Sequence, residues 1–156
     1  MSISFVLNGK KVTVHAEPDE NLLTVLRRLG MMSVKCACDS ANCGCCTVWV
    51  GGKPTLSCAY PAPRAEGQTI TTLEGLQKEA EDFAAFMADE GADQCGFCNP
   101  GFVMNVLAMK RELSSFGEED VKTYLAGNLC RCTGFASQHR AITAWLEAHK
   151  GEEATQ

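Results

Sequence analysis

CDSANCGCCTVWVGGKPTLSC, residues 38–58, holds five of the chain's ten cysteines, and its spacing decides how the rest is read. Cys38, Cys43 and Cys46 stand in a C-x4-C-x2-C run and Cys58 follows after a β-favouring segment, the plant-type spacing of a [2Fe–2S] ligand set. Two irons bridged by sulfide need four thiolates converging from different directions. A short loop can wrap one side while a returning strand supplies the last ligand. The small residues of SANCG, 40–44, let backbone N–H groups approach and hydrogen-bond the sulfurs, which is a main protein lever on cluster potential.

A second group lies in QCGFCNPG, 94–101, and NLCRCTGF, 128–135, giving Cys95, Cys98, Cys130 and Cys132 as C-x2-C and C-x-C pairs. Each pair falls at a helix junction. Thiolates just before a helix starting at Pro100 would sit beside free N–H groups and the positive end of its dipole, which lowers a thiol pKa. Four thiolates so placed can hold a second metal centre. Two zinc sites are the nearest rival, but C-x4-C and C-x-C match the usual zinc spacings poorly. A disulfide framework ranks lower in a chain without an export signal. A Rieske centre needs two histidine ligands, and His15, His139 and His149 are not paired with cysteines. Cys36 and Cys45 are left over and read as small hydrophobic thiols beside the metal loop, with a redox or alternative-ligand role as the minority reading.

Outward from these motifs the chain divides in texture. ISFVL (3–7) and KVTVHA (11–16) flank Asn8-Gly9, the strongest short hairpin signal. PDENLLTVLRRLG (18–30) reads as a helix of about three turns, started by Pro18 and Asp19 and stopped by Gly30. TVWV and PTLSC form a second hairpin around Gly51-Gly52-Lys53, and QTITTLEGL (68–76) supplies a last strand. From there the periodicity turns helical in four segments, 76–92, 100–115, 118–129 and 136–150. Asn99 is the expected N-cap of the second, with Pro100 in its first turn. Phe102, Met104, Met109 and Trp145 read as core. The expectation is an α+β chain: a sheet domain over 1–76, an all-α domain over 77–150 and a disordered tail at 151–156.

The net charge of −5 is spread out, with acidic residues near Arg27-Arg28 and Lys110-Arg111, so no basic stripe suits nucleic acid. No apolar stretch approaches the ~18 residues of a membrane span, and no signal peptide opens the chain, so a cytoplasmic protein is expected. Neither G-x-G-x-x-G nor a P-loop occurs; flavin, nicotinamide or nucleotide would be bound by partners. The run Glu118-Glu119-Asp120 reads as a helix start rather than catalytic carboxylates.

Taken together, SVKCACDSANCGCCTVWVGGKPTLSC, ITTLEGL, QCGFCNPGF and GNLCRCTGF, in this order, closely resemble the small iron–sulfur subunit of the molybdenum hydroxylases, the xanthine dehydrogenase, aldehyde oxidoreductase and carbon monoxide dehydrogenase family. The resemblance covers nearly the whole chain. It implies a plant-ferredoxin-like β-grasp domain followed by a four-helix [2Fe–2S]-binding domain. It also implies a large partner subunit carrying a molybdenum–pterin centre, a flavin (FAD) subunit or other acceptor, and a hetero-oligomer such as a dimer of heterotrimers. The cluster on Cys95, Cys98, Cys130 and Cys132 would be proximal to the pterin, with Gln94 and Cys132 contacting it; the cluster on Cys38, Cys43, Cys46 and Cys58 would be the distal relay. No residue of this chain would do substrate chemistry. The departures are Cys36-Ala37 where the family has Glu-Gly, Cys45 where it has a small residue, and Asn99 where it has Thr or Ser. A free-standing ferredoxin-type carrier is the alternative, and it should behave as a monomer.

Overall fold

The computed structural model describes residues 1–149; the expected disordered tail at 151–156 lies outside them. Five strands and five α-helices follow in the order β1 (Ser2–Leu7), β2 (Lys10–His15), α1 (Leu22–Arg28), β3 (Thr47–Val50), β4 (Lys53–Leu56), β5 (Thr69–Thr71), α2 (Gln77–Asp89), α3 (Asn99–Glu112), α4 (Glu118–Tyr124) and α5 (Ala136–Ala148). The architecture is the α+β arrangement expected.

Asn8 and Gly9 both adopt left-handed backbone, at φ 48° and 79°, which matches the twist of the β1–β2 hairpin. Alternation along β1 then sends Ile3, Phe5 and Leu7 inward. The sheet runs β2-β1-β5-β3-β4, with β1 and β5 parallel and every other pairing antiparallel. Against it packs α1 through Leu22, Leu23, Val25 and Leu26. This helix is shorter than expected. Asn21, not Pro18 or Asp19, caps it by accepting from the Thr24 amide. The preceding residues are diverted to the 60–62 segment, where Leu22 N–H bonds Tyr60 O and Ala62 N–H bonds Glu20 O.

The helical unit is built around α3, apolar on nearly every side from Gly101 to Met109 and therefore central. Phe83 of α2 packs between Phe102 and Trp145 of α5, ring centroids 6.2 and 5.1 Å away. Trp145 Nε1 donates to Asp82 at 2.7 Å, giving the buried indole its partner. Phe102, Met104, Met109 and Trp145 are all buried, as expected of core. Asn99 does not cap α3: it lies inside the first turn and donates to Asp93 at 3.0 Å, leaving Cys98 as the N-cap residue. Glu118, Glu119 and Asp120 form the first turn of α4, with Asp120 accepting from the Gly117 amide. Among the described residues no helix is long and apolar enough to cross a membrane.

Trp49 belongs to the sheet by sequence and to the helical core by packing. Its side chain, 4% exposed, joins the cluster around α3; Nε1 donates to Met104 O at 3.0 Å, and the Arg111 guanidinium lies 4.7 Å from its ring.

A second tie holds the segment entering the first cysteine loop. Glu74 accepts from Ser33 N–H (2.9 Å), Ser33 Oγ (2.6 Å) and Thr72 Oγ1 (2.6 Å). Burial works to raise the Glu74 pKa, but these donors outweigh it and hold the carboxyl below its ordinary value. The folded state thus binds this proton less readily than the unfolded chain. The contribution is fully present above the ordinary carboxylate range and is lost as pH falls through the lowered value. E74Q is accordingly expected to lower the midpoint of thermal unfolding at pH 7, with the gap to the unaltered protein closing below about pH 4.5. A gap that persists unchanged in acid would assign the effect to shape rather than charge.

Candidate metal centres

The first group is assembled by the loop between α1 and β3. Ser40, Asn42 and Cys43 aim backbone N–H groups at the Cys38 sulfur, and this pulls its thiol down to about 6. The turn needs Ala41 in left-handed backbone at φ 53°, a strained conformation for a residue with a Cβ. Small residues at 40–44 thus do what the sequence reading expects. Cys43 and Cys46 are buried. Cys58 sits in a tight turn, Ser57–Ala59, just past β4 rather than in the returning strand itself. Ser57 pins it there, its N–H and Oγ both bonding Cys46 O at 3.2 and 2.7 Å. Burial pushes the Cys58 thiol up to about 12, helped by its contact with Cys46.

The second group comes from the approach to α3, with Cys95 and Cys98, and from the approach to α5, with Cys130 and Cys132. Thr133 donates to Cys130 Sγ from its amide at 3.4 Å and has its hydroxyl oxygen 3.1 Å from the same sulfur. Burial tends to raise the Cys130 thiol, but these bonds hold it at about 7. The expected lowering at the start of α3 is not found for Cys98. Burial pushes that thiol up to about 11, followed by its contact with Cys130; desolvation outweighs the helix terminus. Gln94, Cys95 and Cys132 are exposed together at this edge.

Both groups resolve into pairs. Cys46 Sγ lies 3.3 Å from Cys58 Sγ, and Cys132 Sγ 3.6 Å from Cys95 Sγ. Cys38 is in hydrogen-bonding contact with Cys43, and Cys98 with Cys130. These separations are far beyond the ~2.05 Å of a disulfide. They approach the edge of a tetrahedron with metal–sulfur bonds of ~2.3 Å, roughly 3.7 Å. Two irons with four cysteine ligands need two pairs, so the donor set fits a [2Fe–2S] cluster in each group. Cys45 touches Cys43 as well but stands outside the C-x4-C-x2-C set, so it is left out of the pairs. It is 4% exposed, its thiol points at Cys43 O (3.9 Å), and burial pushes it up to about 12, so it stays protonated. Cys36 is exposed and also outside the pairs.

What the sequence reading missed is how the two groups meet. Leu129 N–H donates to Cys43 O at 3.0 Å, which joins a residue of the first group to the neighbour of Cys130 in the second. Around this bond the chains pack backbone to backbone. A Cβ on Gly44, whose φ is +74°, would meet Asn128 Nδ2 and Gly127 O at 2.6 Å. One on Gly101 of α3 would collide with Gly44 O and lie 2.8 Å from Cys45 Cα. Asn105 Nδ2 donates to Asn128 Oδ1 at 2.7 Å and steadies the junction. The only sequence signals were a glycine inside CGCC and another inside an apolar helix.

Comparison with known proteins agrees with this donor chemistry. The profile of a 2Fe-2S iron-sulfur cluster binding domain matches residues 5–82, and that of a [2Fe-2S] binding domain matches residues 72–143. The nicotinate dehydrogenase small FeS subunit of Eubacterium barkeri is 35% identical over 150 residues, covering 94% of this chain and 96% of that one. The xanthine dehydrogenase iron-sulfur-binding subunit of Escherichia coli O157:H7 is 42% identical over 139 residues, covering 86% and 87%. Among solved structures, a chain of quinoline 2-oxidoreductase from Pseudomonas putida 86 superposes with a TM-score of 0.87 at 34% identity, covering 97% of this chain and 98% of that one.

Proposed function

Because the chain belongs to the family of [2Fe–2S] small subunits of the molybdenum hydroxylases, we propose that it is the electron-transfer subunit of such a complex. Cys38, Cys43, Cys46 and Cys58 hold the first cluster; Cys95, Cys98, Cys130 and Cys132 hold the second. When bound, the two clusters supply one-electron redox sites in series between a molybdenum–pterin centre in a large partner subunit and a flavin subunit or other acceptor. This chain's residues bind, orient and shield. Backbone amides at 40–43 and Thr133 donate toward ligand sulfurs, and Gln94 and Cys132 form the exposed edge that faces the pterin.

The observation that carries the reading is the Leu129–Cys43 hydrogen bond. It brings a ligand of the first group and Cys130 of the second within one hydrogen bond and one peptide of each other, as a two-site relay inside one chain requires. The division falls at 76/77, and the complex is a cytoplasmic hetero-oligomer, a dimer of heterotrimers, that oxidises a purine, an N-heterocycle, an aldehyde or carbon monoxide. The substrate pocket belongs to the large subunit.

Anaerobic purification with copurifying chains tests this. About four irons per chain, two distinct reduced [2Fe–2S] EPR signals and a large molybdenum-containing partner are expected. A monomer with full iron and no such partner would favour the free-standing carrier, and zinc without a visible band would remove the redox reading altogether.

A further inference from the structure

Gln138, in the first turns of α5, is 1% exposed, a polar side chain buried in the helical core. Its Oε1 is drawn 2.7 Å from Thr133 Oγ1, while its Nε2 has no partner; the residue lines a cavity of about 280 Å³ together with Phe102, Asn128, Phe135 and His139. An orphaned buried donor is rare and costly, more so than an under-satisfied carbonyl. The two ends of an amide are nearly isosteric, so the surrounding network decides which one faces Thr133.

The network is over-determined at Thr133. A threonine hydroxyl has one proton and two lone pairs. Two acceptors lie within reach of that proton, Cys130 Sγ at 3.1 Å and Gln138 at 2.7 Å, and the Phe135 amide already donates to the oxygen at 3.2 Å. If Gln138 presents its carbonyl, the proton is drawn from the sulfur and the buried NH2 is orphaned. If it presents its NH2, all three roles at Thr133 are filled. Phe135 N–H and Gln138 Nε2–H then occupy the two lone pairs, and the one proton goes to Cys130 Sγ.

We infer that Gln138, Thr133 and Cys130 form a directed hydrogen-bond relay, with Gln138 as a positioning residue that aims the Thr133 hydroxyl at a ligand sulfur of the second cluster and raises that cluster's potential. The inference rests on the ligand role proposed for Cys130. A donor to a ligand sulfur favours the more negative, reduced cluster, so losing the donor lowers the potential. Thr133 makes the contact, and Gln138 acts through it.

The test is an EPR-monitored redox titration of the full chain in its complex, comparing the unaltered protein with T133V, T133S, Q138L and the double variant. About four irons in the unaltered protein establishes the ligand reading separately; the potentials then test the relay. T133V is expected to shift the one-electron equilibrium of the second cluster three- to tenfold toward the oxidised form, or ~28–59 mV at ~59 mV per tenfold. Q138L shifts it the same way by less and adds nothing on T133V, while T133S keeps the original value. The first cluster does not move. No change in T133V overturns the relay. So does a Q138L potential that is unchanged or raised, the rise being what a proton-stealing carbonyl would produce. Should T133V fail to retain its iron, T133S and the sign of the Q138L shift still decide.

Discussion

Cys98→Ala is expected to halve the iron, from about four to about two per chain, and to erase one of two reduced EPR signals, whereas Cys45→Ala keeps all four. Both thiols are raised in pKa by burial, Cys98 to about 11 and Cys45 to about 12, so acidity does not separate them. Geometry does. Cys98 is in contact with Cys130 inside the proposed second set, and its loss would leave one iron a single thiolate. Cys45 faces the Cys43 carbonyl and touches the Cys43 thiol, yet stands outside the C-x4-C-x2-C set. Its truncation removes one buried sulfur, a cost of about 1 kcal/mol. Metal analysis beside visible spectra reads both variants. Full iron in C98A, or a lost cluster in C45A, would require a different ligand assignment.

Gly101→Ala is the second large effect, and its sign is diagnostic. In an exposed helix interior this change stabilises by about 1 kcal/mol. Here the new methyl group would collide with Gly44 O and stand 2.8 Å from Cys45 Cα. Neither atom can retreat freely. Gly44 O accepts from Thr47 N–H and Thr47 Oγ1, and Cys43 O accepts from Leu129 N–H. Overpacking against fixed backbone is expected to cost about 1–3 kcal/mol in urea unfolding and to weaken the magnetic coupling between the reduced clusters. Gly127→Ala is the control. It lies at the same junction, but its Cβ would meet nothing within 4 Å, so it should stay within about 0.5 kcal/mol of the unaltered protein. Equal effects in the two variants would mean that the close approach of α3 to the loop is not the cause.

Gly101 and Gly44 also mark where the sequence stopped being legible. The ligand groups could be read because a cluster constrains cysteine spacing along the chain, and Asn8-Gly9 because a tight hairpin demands two left-handed residues in a row. The four helical segments announced themselves by periodicity. The errors arose where tertiary partners competed with local signals. The expected start of α1 is held instead by Tyr60 and Ala62, Asn99 prefers Asp93 to capping, and burial reverses the helix-end effect on Cys98. The junction through Gly44, Gly101 and Leu129 was invisible for a plainer reason. A glycine allows close approach without saying to what.

The placement of Trp49 sets how this chain comes apart. Its indole is carried by a strand of the first half yet completes the hydrophobic interior of the second, anchored to Met104 O. The link between the sheet and the helical part is therefore reinforced by packing. A protease that nicks it would leave two pieces still clasped together, and pieces made separately should seek each other out. The two halves are distinct in sequence and joined in their interior.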